Sequence, residues 1–166
     1  MLASALGDSN FMPTQLYISS DSGVSWTSRG PSGVWGAVAS SSDGVKLVAA
    51  QVNDGTSSSV GRIYTSTDSG VTWTARGPSV RWVAVASSGD GTKLIAGQYE
   101  DATSEAGSLH VSTDSGATGH TARWYYVATS SDGTKMFAGE DVKPNSGTYL
   151  GRIYKSIDSG SSWVGI

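Results

Sequence analysis

Six acidic side chains, Asp54, Glu100, Asp101, Glu105, Glu140 and Asp141, fall in or beside three polar stretches of this 166-residue chain. With Asn53 they offer hard oxygen donors, the chemistry of a Ca²⁺ site or of hydrogen bonds to a sugar. No stretch has the ligand spacing of an EF-hand loop, so a solvated acidic rim is the favoured reading. Trp35, Trp82 and Trp124 could stack on sugar rings near those acids. Packing between repeated units is favoured for them, because an indole buries so much area. His110 and His120 are the only histidines, and any Ser-His-Asp triad would have to use one of them. Neither stands in a second constellation of the kind that metal binding or catalysis needs. We therefore expect no enzyme, no cofactor and no metal.

Composition narrows the partners. Charged residues are 15% of the chain and the net charge is −3, which leaves no electrostatic footprint for nucleic acid or an anionic membrane. Cysteine is absent, so disulfides and thiolate chemistry are excluded, and both an exported and an intracellular home stay open. An extracellular or cell-surface home is slightly favoured, although Met1–Leu6 lacks the basic start and long apolar stretch of a signal peptide. Apolar runs such as Leu47-Val48-Ala49-Ala50 are too short to cross a bilayer as helices.

The elements that would position these residues repeat along the chain. Ser19-x-Asp21-x-Gly23-x-x-Trp26 returns as Ser66-x-Asp68-x-Gly70-x-x-Trp73 and as Ser156-x-Asp158-x-Gly160-x-x-Trp163. A degraded copy, Ser112-x-Asp114-x-Gly116, has Gly119 in place of the tryptophan. The aspartates stand 47, 46 and 44 residues apart. Each copy reads as a strand, a tight turn and a second strand. The Asp accepts bonds from amides ahead of it, the Gly permits φ > 0, and the Trp folds back to bury its ring against the turn.

A second repeat, at 35–50, 82–97 and 124–139, sets two β-rich runs around a Ser/Asp-Gly turn, a hairpin signal. The two repeats make a four-stranded unit, A-B-C-D, with A beginning at Trp35, Trp82 or Trp124. Helical i, i+3, i+4 spacing is absent. The small residues Ala37, Ala39, Ala84, Ala86 and Ala128 suit a crowded inner strand. Leu2–Leu6 aligns with Leu47–Gln51 as a B strand, so 1–30 reads as B, C and D without A. Units follow at 35–77, 82–120 and 124–166. Gly116 to Trp124 is four residues shorter than Gly70 to Trp82, so the D strand of 82–120 should be short, irregular or missing.

Ser-x-Asp-x-Gly-x-Ser/Thr-Trp resembles the Asp-box (BNR-type) repeat of sialidase-like β-propellers. The resemblance implies an all-β fold of about four blades, with the boxes as structural devices and 1–166 as a single domain. It also reaches photosystem-assembly and sorting-receptor propellers, with no residue favouring either. In such propellers the B–C and D–A connections lie on the face that usually binds, and the A–B turns and boxes on the other. The candidate ligand face is thus Trp35, Asn53, Asp54, Trp82, Glu100, Asp101, Trp124, Glu140 and Asp141. Sialidases hold a substrate carboxylate with three arginines and use a Tyr nucleophile. Arg29, Arg62, Arg76, Arg81, Arg123 and Arg152 recur at repeated positions instead, which points to scaffold roles, and the Arg-Ile-Pro signature is missing.

The function expected is a non-enzymatic structural or binding module completed by self-association, a dimer closing a larger ring. A four-bladed monomer and an excerpt of a longer repeat array are the other architectures. The other functions are a carbohydrate-binding propeller and a remnant of a sialidase-type glycoside hydrolase. A glycan or protein ligand fits either binding reading.

Overall fold

The structure, a computed structural model, describes residues 1–4, 13–55, 60–99, 107–113, 124–140 and 151–166. Every described element of regular structure is a β-strand: β1 Leu2–Ser4, β2 Thr14–Ile18, β3 Thr27–Ser40, β4 Leu47–Asn53, β5 Gly61–Ser66, β6 Thr74–Val80, β7 Trp82–Ser87, β8 Leu94–Gln98, β9 Leu109–Ser112, β10 Trp124–Thr129, β11 Met136–Glu140, β12 Ile153–Ser156 and β13 Val164–Gly165. All pairings are antiparallel between strands consecutive in sequence, as short runs joined by Gly/Asp turns require. The strands form a six-stranded sheet β1–β6, a three-stranded sheet β7–β9 and a four-stranded sheet β10–β13.

The six-stranded sheet departs from the expected division. Its two units are joined because β3 serves both: Gly33 pairs with Thr14 of β2, and Val34 with Asn53 of β4. Gly30-Pro31-Ser32-Gly33 stays in the strand, and the register shifts at Val34/Trp35 and Trp35/Ala37 turn it into the second unit. The outer strand β6 likewise runs on to Val80, past residue 77. The expected fourth strand of the third unit lies outside the described residues.

The N-terminal alignment needs a one-residue correction. Ala3 pairs with Tyr17 as Ala49 pairs with Tyr64, and the Met1 carbonyl accepts the Ser19 amide at 2.9 Å. Met1, not Leu2, therefore stands where Leu47 stands. A slip of one residue exchanges the faces of a strand. Leu2 thereby joins Leu16, Trp35, Ala49 and Trp73 between the first two units. The apolar Leu at both positions misled the alignment, while strand pairing set the register.

Burial concentrates between units. Val48, Ala50 and Ile63 of the second unit meet Trp82, Val85 and Ala96 of the third. Ile95, Leu109 and Val111 of the third meet Trp124, Met136 and Ala138 of the fourth. Inner strands approach closely: a Cβ on Gly36 would lie 2.9 Å from the Val83 Cα, so glycine there lets β3 and β7 touch. The A–B turns converge too, with Ser42 N–H donating to Gly89 O at 2.7 Å and Gly89 N–H to Ser131 O at 2.6 Å.

Candidate functional site

The repeated Ser/Asp/Gly turns share one geometry in the three copies described. Ser66 Oγ is buried, donates to Asp68 Oδ1 at 2.8 Å and accepts the Gly70 amide at 2.8 Å. Asp68 accepts the Thr72 amide at 2.9 Å and its hydroxyl at 2.6 Å, and Trp73 Nε1 returns to Gly70 O at 3.1 Å. Ser19, Asp21, Gly23 and Trp26, and Ser156, Asp158, Gly160 and Trp163, repeat these bonds. Both Ser22 and Gly23, with φ of 60° and 92°, are left-handed, as are their counterparts. The left-handed serine was not legible, because Ser favours other conformations. Ser112 ends β9, while Asp114, Gly116 and Gly119 fall outside the described residues.

These turns hold carboxylates ionised. The Ser25 hydroxyl first, then the Ser25 amide and the Ser19 hydroxyl, bring Asp21 down to about 2. Thr72 does the same for Asp68, and Ser162 for Asp158, each to about 2. In the A–B turns, Ser130 leads in bringing Asp132 to about 2, and Ser41 and Ser88 lead in lowering Asp43 and Asp90. His110 is lowered from 6.5 by burial. A group depressed by folding adds stability that is present above its ordinary value and lost as pH falls toward the folded one. Melting temperature should thus fall in two stages, one below pH 6.5 from His110 and one between about pH 4 and 2 from the aspartates. His110→Tyr, the residue of the other units, should abolish only the first, as thermal melts across pH would show.

The tryptophans pack between units, as favoured, and their place on the candidate ligand face is corrected. Trp35, Trp82 and Trp124 are at most 2% exposed and leave no face for a sugar. Each meets an aromatic of strand C edge-on: Tyr64 at 5.7 Å, His110 at 4.8 Å and Tyr154 at 5.3 Å between centroids. Trp35 Nε1 donates to Thr14 O and Trp82 Nε1 to Pro78 O, as a buried indole requires.

Among the candidate loop residues, Asn53 Oδ1 accepts the Gly55 amide at 2.6 Å, Asp54 is exposed and Glu140 half-buried. Glu100, Asp101, Glu105 and Asp141 lie outside the described residues, as does His120. No group of three or more acids, histidines or cysteines is gathered among the described residues. Arg62 donates to Gly77 O and Arg76 to the Thr65 hydroxyl, both within their own unit.

Two sheet faces stand open. Tyr126, Phe137 and Ile153 occupy the positions of Ala37, Val48 and Ile63, which the third unit covers, yet they are 76%, 38% and 52% exposed. At the other end, Trp26 is 41% exposed. Its counterpart Trp73 packs over Gly30 and Leu16 of the first unit, and Trp163 packs on the core between the third and fourth. Gly70 and Gly160 likewise press on Ile18 and Val111 of the preceding unit. The indole therefore turns back to its own glycine but buries its ring on a neighbour. Sequence reasoning missed this face. The signal was Tyr126, a large ring where the repeat otherwise has alanine.

The whole arrangement has known counterparts. The chain is similar in structure to a GH74 xyloglucanase from Xanthomonas campestris, with TM-score 0.62 and 16% identity, over 92% of this chain and 27% of that one. It is similar to the β-propeller domain of the Trilobed protease from Pyrococcus furiosus, with TM-score 0.62 and 11% identity, over 93% and 49%. No family model and no curated protein matches the sequence. The fold is thus that of β-propeller blades, and the chain spans less than half the length of these two matched chains.

Proposed function

We propose that the chain is a non-enzymatic structural or binding module of Asp-box blades, completed by a second copy of itself. The observation that carries this reading is the pair of open faces. The face of Tyr126, Phe137 and Ile153 has the placement of faces that, inside the chain, receive the next blade. The face of Trp26 has the placement of those that cover the preceding one. Two copies joined head to tail twice bury both faces of each, which closes the assembly instead of extending it. Exposed apolar surface of this kind marks an interaction site.

The carbohydrate reading loses its three indole platforms, and the xyloglucanase likeness at 16% identity carries no substrate across. Light scattering after size exclusion tests the proposal. A mass of twice 17.1 kDa, independent of concentration over the micromolar range, is expected. A monomer of 17.1 kDa would overturn it.

A further inference from the structure

Among the described residues, the inner edge of the first blade carries no strand. In the other blades the second strand lies between two neighbours: β4 between β3 and β5, β8 between β7 and β9, and β11 between β10 and β12. Their counterpart β1 pairs with β2 alone. Met1 exchanges both backbone bonds with Ser19, at 2.6 and 2.9 Å. Antiparallel bonding alternates along a strand, so the N–H and C=O of Leu2, and those of Ser4, point to the side where β4, β8 and β11 meet an inner strand. Such a row of backbone groups is a template for a further strand.

Two further observations say which strand fits. Each inner strand opens with an indole set edge-on to the aromatic of strand C, on Tyr64, His110 or Tyr154, and those three aromatics are half-buried. Their counterpart Tyr17 is 37% exposed and meets no such indole among the described residues. The A–B turns are joined by bonds that pass from each turn to the next, Ser42 N–H to Gly89 O and Gly89 N–H to Ser131 O. The Ser42 carbonyl, in the first turn, accepts no such bond among the described residues. That turn leads into Leu47, the counterpart of Met1, so it lies toward the Met1 end of β1, away from residue 5. We propose that this edge takes up, as an added strand, an extended peptide with the pattern of the chain's own inner strands. That pattern is Trp-x-Ala-Val-Ala-Ser-Ser-x-Asp-Gly, as at 35–44 and 82–91. The indole covers Tyr17, alternate amides pair with Leu2 and Ser4, and the turn amide donates to Ser42 O. The edge lies within one chain and does not require self-association. Only a further wall rests on the proposed dimer. There Ser131 N–H and the exposed Lys135 of the second copy would bond the peptide's turn as Gly89 N–H and Lys93 Nζ bond the turn of the next blade.

The test titrates the intact chain with a synthetic peptide copying residues 35–44, followed by calorimetry and by hydrogen exchange at the Leu2 amide. Saturation at one peptide per chain, with the Leu2 amide protected, is expected. Ala39 pairs with Val48, the counterpart of Leu2, so the Ala39 amide points across to the second strand and the Val38 amide points away. N-methylation of the peptide at the Ala39 position should therefore weaken binding at least about tenfold, and at the Val38 position far less. Replacing the peptide's tryptophan with alanine should also weaken it, and so should Tyr17→Ala in the chain. No saturable binding, binding that leaves Leu2 unprotected, or equal loss from the two N-methylated peptides would overturn the strand addition. Self-association fails separately: a chain that light scattering shows to be a monomer, yet that binds the peptide with this discrimination, supports the strand addition and refutes the dimer alone. A dimer that binds no peptide refutes the strand addition alone.

Discussion

Trp35→Ala should cost about 3–5 kcal/mol of folding stability, the usual cost of deleting a large aromatic from a core. Trp35 is fully buried, stands edge-on to Tyr64 and belongs to the cluster with Leu16, Ala49 and Trp73 between the first two blades. Its removal opens a cavity at a junction and also leaves the Thr14 carbonyl without the indole donor. A domain is typically stable by only about 5–15 kcal/mol, so this single change should unfold a large fraction of the protein or shift its urea midpoint far down. Such a shift would be far larger than a sugar-stacking platform would give, since surface changes usually stay within about 0.5 kcal/mol. A near-neutral Trp35→Ala would contradict the assignment of these tryptophans to the junctions.

Tyr126→Asp with Ile153→Asp should convert the proposed dimer to a monomer of 17.1 kDa while leaving the fold intact. Both residues are more than half exposed within one chain, so a carboxylate there stays solvated in the monomer. In the proposed assembly each would be buried against the leading face of a second copy. An unpaired charge in such a place costs several kcal/mol, and every 1.4 kcal/mol is a tenfold loss of affinity. The decisive comparison is the circular dichroism spectrum against the light-scattering mass: the first unchanged, the second halved. An unchanged mass in the folded double variant would exclude this face from the interface.

Much of the fold was legible because the sequence states it repeatedly. The Ser/Asp/Gly turns place a glycine at the second of their two left-handed positions, and Trp82 and Trp124 mark where inner strands begin, while Trp35 falls inside β3. Those are local signals, carried by turn chemistry and side-chain period. Features set by pairing between distant segments were less legible. Strand register at Leu2 depended on Tyr17, and continuity of β3 depended on its exchange of partners at Val34. The turn tryptophans read as covering their own turns because that contact is local, whereas their burial is decided by the preceding blade. The acidic loops were conspicuous by composition, yet the described part of them gathers no cluster. The apolar face of Tyr126, Phe137 and Ile153 went unseen because such residues read as core until the neighbour that should cover them is located.

The proposed head-to-tail arrangement is tested most directly by mixing two single-cysteine variants. The chain has no cysteine of its own, so any disulfide reports the introduced pair. Lys155 stands where Ile18 and Val111 receive the turn glycine of the next blade, and Val24 follows that glycine in the first blade. Under mild oxidation, Val24→Cys mixed with Lys155→Cys should give the mixed disulfide in clear excess over either variant linked to itself. Disulfides only between identical variants, or none at all, would contradict the closure of one blade stack by another.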